Sequence, residues 1–236
     1  MSDTPRPTLV LLPGLLCDGA LYRPQIEALR EEAEILVADL TAHDTMAAMA
    51  RSVLALAPPT FALAGLSMGG YVAFEIMRQA PERVTRLALL DTAATPDTPE
   101  QTEQRLAFMS MAETGDFRGV TARLLPRLIH ASRLQDQALA EVIFEMARHV
   151  GRTGFIRQQR AIIARPDSRP GLSHITCPTL VVCGRQDALT PLERAREIAT
   201  DIPDARLVVI EECGHLTTLE RPAEVTAVMR SWLFAE

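Results

Sequence analysis

One serine stands between two glycines at the end of an apolar run. The segment reads Phe61-Ala62-Leu63-Ala64-Gly65-Leu66-Ser67-Met68-Gly69-Gly70. Phe61–Leu66 predicts a strand, and Tyr71–Gln79 has helical spacing that stops before Pro81. A serine on so sharp a strand-to-helix turn takes a strained backbone conformation. Side chains two residues before and after it would strike neighbouring backbone, and glycine at 65 and 69 removes that collision. The turn aims Ser67 out of the carboxyl edge of a sheet, where open α/β sheets bind ligands. The helix behind it points free N–H groups at any developing oxyanion. Such a serine is a candidate nucleophile.

A serine hydroxyl needs a base, and histidine has the suitable pKa. The chain offers His43, His130, His149, His174 and His215. His130 and His149 fall in a helical stretch and read as ordinary helix residues. His174 precedes a strand and belongs to the opposite sheet edge. His43 follows a strand and reads as a loop histidine. His215, in Cys213-Gly214-His215-Leu216, follows the last strand on the Ser67 edge, with Gly214 giving its loop freedom to turn inward. An acid that fixes the imidazole should follow a strand on the same edge. Asp187 and Asp91 both do, and Asp91 can also be read as capping a turn. A loop after the first strand, Leu11-Leu12-Pro13-Gly14-Leu15-Leu16, can set a backbone N–H beside the serine. The expected oxyanion donors are therefore the amides of Leu15 and Met68.

The elements that must position these residues alternate in kind. Thr8–Leu12, Ile35–Ala38, Phe61–Leu66, Val84–Leu90, Thr179–Cys183 and Arg206–Ile210 read as strands. Leu21–Arg30, Met46–Ala57, Tyr71–Gln79, Leu192–Ala199 and Ala223–Phe234 read as helices between or after them. Strands apolar on both faces and separated by helices imply a doubly wound, mostly parallel α/β sheet of about six strands. The rhythm breaks after Asp91, where residues 96–170 show helical patterns without a strand. The expected organisation is a core of residues 1–95 and 171–236, with residues 96–170 inserted after the fourth strand as a helical lid.

Composition narrows the chemistry. Of 236 residues, 47% are hydrophobic, which excludes a disordered chain. The net charge of −6 argues against nucleic acid as a partner. The apolar runs are too short for a membrane span, and the opening MSDTPRP is unlike a signal peptide, so the expectation is a cytoplasmic protein. All 24 basic residues are arginine, and asparagine is absent. Schiff-base, P-loop and Ser-Lys chemistry are thereby excluded, as is a Cys-His-Asn site. Four cysteines lack metal-ligand spacing, so neither metal nor cofactor is expected.

Taken together, these segments resemble the compact bacterial α/β-hydrolases, among them carboxylesterases and 3-oxoadipate enol-lactonases, over nearly the whole chain. LLPGLLCDGALY resembles their first-strand oxyanion segment, with Pro13 where many members have histidine. GLSMGG resembles their nucleophile turn, PTLVVCGRQDALTP their acid loop, and CGHLTTLERP their histidine segment with Glu220 and Pro222. The resemblance implies a triad of Ser67, Asp187 and His215 in the family's chain order, and favours Asp187 over Asp91. It implies hydrolysis of a small-molecule ester or lactone through an acyl-enzyme. Leu16, Phe108, Met111 and Phe144 are the expected pocket for small to medium apolar acyl groups. The same machinery on this fold also serves enol-lactone or C–C bond hydrolysis, thioester cleavage, acyl transfer or, without turnover, ligand reception.

Overall fold

The computed structural model describes residues 6–115, 117, 119–120 and 122–235. Six strands form one sheet: β1 (Thr8–Leu12), β2 (Glu34–Val37), β3 (Phe61–Leu66), β4 (Val84–Leu90), β5 (Thr179–Gly184) and β6 (Arg206–Ile210). Their spatial order is β2-β1-β3-β4-β5-β6, and every pairing is parallel. The helices are α1 (Arg23–Leu29), α2 (Met46–Leu56), α3 (Met68–Gln79), α4 (Pro99–Thr114), α5 (Leu125–Leu128), α6 (Gln137–Ile163), α7 (Leu192–Asp201), α8 (Thr217–Glu220) and α9 (Pro222–Leu233). Three of them, α4 to α6, lie between β4 and β5 in the chain. Gly151 interrupts α6 with a φ of 65°, a conformation that favours glycine.

The sheet is apolar on both faces because both are covered. Val10, Leu12, Leu63, Leu87, Leu89 and Val181 join a core with residues of α2, α3 and α7. Their neighbours Leu9, Leu11, Ala62, Ala64, Leu90 and Val182 join a second core with residues of α1 and α9. The alternation of strand side chains thus sorts adjacent residues into two different cores. Fully burying one such leucine contributes about 1.5–3 kcal/mol, so the continuous apolar runs hold the sheet from both sides.

The order places β1 between β2 and β3, so the chain winds one way from β1 to β2 and the other way from β3 onward. A crevice opens outside the carboxyl ends of the strands where the winding reverses. Ser67 follows β3 and Leu15 follows β1, on either side of that reversal. Strain collects on this edge: Leu16, Ser67, Asp91 and Glu212, in the turns after β1, β3, β4 and β6, all have positive φ.

Candidate active site

Ser67 has φ 55° and ψ −115°, a strained conformation for a residue with a Cβ. Three bonds hold it. Its N–H donates to the Leu90 carbonyl at 2.9 Å, and its own carbonyl accepts from the Gly70 N–H at 2.9 Å and the Thr92 hydroxyl at 2.8 Å. A Cβ at Gly65 would overlap the Gly69 carbonyl, and one at Gly69 would overlap the Leu12 carbonyl. Both glycines are therefore needed for close backbone approach, as the spacing predicts.

His215 and Asp187 are both buried, and Nδ1 of His215 lies 2.8 Å from Oδ2 of Asp187. A carboxylate only accepts, so Nδ1 carries a proton, and Nε2 is the nitrogen that can accept one when the ring is neutral. Asp187 is fixed from its other sides. The backbone N–H groups of Leu189 and Thr190 donate to Oδ1 at 2.8 and 3.0 Å, and the Thr190 hydroxyl donates to Oδ2 at 2.7 Å. Burial presses the Asp187 pKa up, but the imidazole and these donors outweigh it and leave the group below its ordinary value. Burial likewise presses His215 down, yet Asp187, with Asp91 and Glu220, carries it above the ordinary histidine value.

Asp91 is wholly buried but does not touch His215 by hydrogen bond. Its Oδ1 accepts from the Gly184 N–H at 2.9 Å, and its Oδ2 from the Thr217 hydroxyl at 2.5 Å and the Thr217 N–H at 3.4 Å. It ties the start of the acid loop to the residue two beyond the histidine. Burial and the charge of Asp187 push its pKa well above the carboxylate range. Asp91, Cys183 and Asp187 each offer one donor atom within 4.8 Å of the others, a cluster with the makings of a metal site. Their chemistry does not fit one. Both carboxyls are occupied by protein donors, and burial raises the Cys183 thiol so that it stays protonated and donates to the Gly184 carbonyl at 3.3 Å.

A cavity of about 790 Å³ opens over Ser67 and is lined by Gly14, Leu15, Leu16, Ser67, Leu189, Thr190 and His215 at its base. That volume suits a small-molecule ligand. Of the five histidines, His215 alone lines it. His130 is not a helix residue as expected: it precedes a short 3₁₀ turn, and its N–H donates to Glu220 at 2.6 Å. Cys17 also lines the cavity, but burial pushes its thiol up to about 12, so it remains a thiol.

The two expected oxyanion amides differ in how they are held. Met68 opens α3, where the first N–H groups have no partner in the helix. The Leu15 amide has no protein acceptor among the described residues. The next amide, Leu16, donates to Oε1 of the buried Gln158 at 3.0 Å, so α6 holds the loop that carries Leu15.

Leu16, Phe108 and Met111 line the cavity as expected, whereas Phe144 does not. Helical spacing in residues 96–170 gave a period but not a rotation: Ile143 lines the cavity, and Phe144 packs instead against the core cluster that holds Leu139 and Met146. Gly214 serves close packing rather than the expected loop freedom. Its φ is not positive; instead a Cβ there would come within 2.8 Å of the His130 nitrogen, and its carbonyl leaves no room for a Cβ at Gly184.

Four further residues support the site, and of these the sequence points only to Glu220. Glu220 accepts from the N–H groups of Gly214 and His130 at 2.9 and 2.6 Å, clamping the histidine loop. Thr190 and Thr92 brace Asp187 and Ser67, and Gln158 braces Leu16. Only Glu220 carried a signal, the acid five residues after the histidine.

Residues 9–228 match the family described as the alpha/beta hydrolase family. The chain is 28% identical to a pimeloyl-[acyl-carrier protein] methyl ester esterase of Nitrosomonas europaea, covering 92% of each chain. Among solved structures it resembles a thermophilic esterase from Thermogutta terrifontis, with malate bound, at TM-score 0.87 and 33% identity over 96% of this chain and 89% of that one. It also resembles the enol-lactonase from Burkholderia xenovorans at TM-score 0.88 and 26% identity, over 99% and 93% of the two chains.

Proposed function

Because this chain belongs to the α/β-hydrolase family, we propose that it is a serine hydrolase cleaving carboxylic esters through an acyl-enzyme, with Ser67 as nucleophile, His215 as base and Asp187 as acid. One observation carries the reading: a strained serine opens on the same cavity as a histidine whose Nδ1 is bonded to a buried carboxylate. Named relatives that act on methyl esters and enol-lactones, and a similar esterase structure, support the reaction class.

In this mechanism Ser67 Oγ attacks the ester carbonyl while Nε2 of His215 takes its proton. The charge that develops on the carbonyl oxygen is met by the Leu15 and Met68 amides, each such donor contributing about 3–4 kcal/mol in comparable sites. His215 then protonates the departing alcohol, and the bond to Asp187 stabilises the transient imidazolium. Water activated by His215 releases the acid. Asp91 stays outside the proton path because its environment favours the neutral form. Residues 96–170 act as the lid, with Phe108 and Met111 over the acyl group.

Turnover of p-nitrophenyl acetate, butyrate and octanoate, followed at 405 nm on the order of micromolar enzyme, tests the proposal. Hydrolysis above the buffer rate, lost in Ser67→Ala, is expected; equal rates in both proteins would overturn it.

A further inference from the structure

The cavity is electrostatically one-sided. The chain carries six more acidic than basic residues, yet the formally charged residues that line the cavity are Arg105, Arg123 and Arg127, with no aspartate or glutamate among the described residues. Arg105 is the deepest set, with its side chain 22% exposed. Its Nε lies 2.6 Å from Asp97 Oδ2, and its Nη1 donates to Gln159 Oε1 at 2.9 Å.

Asp97 does not neutralise this site. Arg165 already lies 2.8 Å from its other oxygen, and the Arg165 guanidinium covers the Tyr71 ring at 4.2 Å. One carboxylate therefore faces two guanidiniums that stay charged, leaving a surplus of one positive charge at the cavity wall. Gln159 adds direction. Arginine has no acceptor, so the amide must turn its oxygen to Arg105, and its NH₂ is left as a donor without an acceptor among the described residues. Gln159 is 2% exposed and lines the cavity. Arg105 and Gln159 thus present N–H donors side by side beside one unbalanced positive charge. That suits a planar monoanion, a carboxylate, better than a phosphate dianion. Arg123, just before α5, and Arg127, within it, are exposed, have no ion-pair partner among the described residues and add an attractive field for an arriving anion.

We propose that the preferred substrates are esters whose acyl chain ends in a second, free carboxylate, seated on Arg105 and Gln159. This rests on the esterase reading of the same cavity. The test compares kcat/KM for mono-p-nitrophenyl glutarate with that for its methyl-capped, uncharged counterpart. Wild type should favour the anion by about tenfold or more. Arg105→Gln should lower that ratio about tenfold, and Gln159→Leu, which leaves the Arg105–Asp97 pair in place, should lower it less. The paired Arg123→Gln, Arg127→Gln variant should lower it a few-fold at low salt and not at high salt. Equal rates for both esters in wild type, or an unchanged ratio in Arg105→Gln with a wild-type melting temperature, would overturn the carboxylate site. Calorimetric titration of Ser67→Ala with glutarate reads the site without chemistry. Glutarate binding that Arg105→Gln abolishes supports the site even if neither ester is turned over, a result that would overturn the esterase reading alone. No binding together with no preference overturns the carboxylate site whatever the enzyme hydrolyses.

Discussion

β4 and β5 lie side by side, and each is followed on the same sheet edge by a buried aspartate. The two carboxyls do different things. Asp187, beyond β5, meets the imidazole and three neighbouring donors, and those contacts hold it ionised. Asp91, at the end of β4, meets backbone and a threonine, and burial beside Asp187 favours its protonated form. Two carboxyls this close cannot both ionise cheaply, so the one bonded to the imidazole and the neighbouring donors keeps the charge. Position at a strand end is shared; the difference lies in which groups the following loop brings to the carboxyl.

Exchanging each aspartate for asparagine sharpens this contrast. Asp187→Asn should lower kcat for ester hydrolysis by about 10³- to 10⁴-fold, since the amide stabilises the wrong imidazole tautomer and no imidazolium. Asp91→Asn mimics the protonated form and should cost less than tenfold on the scale where one unit of pKa is about 1.4 kcal/mol. Equal losses in the two variants, read by steady-state kinetics, would erase the distinction. Asp91→Ala is a different matter. It leaves the Gly184 and Thr217 donors buried without a partner and should lower unfolding free energy by about 1–3 kcal/mol in denaturant titration.

The pH dependence reads the same pair. The base must be neutral, so kcat/KM should fall as pH falls through the His215 pKa, with the midpoint above the ordinary value of 6.5. Asp187 is the main group holding that pKa up, with Asp91 and Glu220 also facing it, while burial pulls it down. The acid limb should therefore move to lower pH in Asp187→Asn and move less in Asp91→Asn. For stability the sign is opposite for the two partners. The raised His215 pKa contributes stability that is present at acid pH and lost as pH rises through it. The lowered Asp187 pKa contributes stability lost as pH falls through it. The smallest expected effect is Thr190→Val, which removes one of the bonds to Asp187 and should cost a few-fold in kcat, on the order of 1 kcal/mol.

Much of the frame was legible from the residues. Strands covered on both faces are largely apolar, and β1, β3, β4 and β6 fall where their apolar runs do, with Thr85 and Arg206 exposed in β4 and β6. The Ser67 turn was legible because backbone crowding permits only glycine at 65 and 69. What stayed hidden depends on partners distant in the chain. Apart from the family resemblance of the Asp187 loop, residue type and strand-end position do not tell Asp91 from Asp187, because their partners Thr217 and His215 arrive from another loop. The brace from Gln158 to Leu16 spans 142 positions and leaves no pattern. Phe144 was misplaced because helical spacing gives a period without a rotation. His130 was misread because it lies just beyond α5, a helix of only four residues, too short to show periodicity.

The central claim is that Ser67 carries the acyl group. Intact-protein mass spectrometry after brief exposure to a fluorophosphonate reads this directly. The account predicts one adduct, located on the peptide containing Ser67, absent from Ser67→Ala and formed more slowly in His215→Ala. No adduct on wild type, or the same adduct on Ser67→Ala, would contradict it.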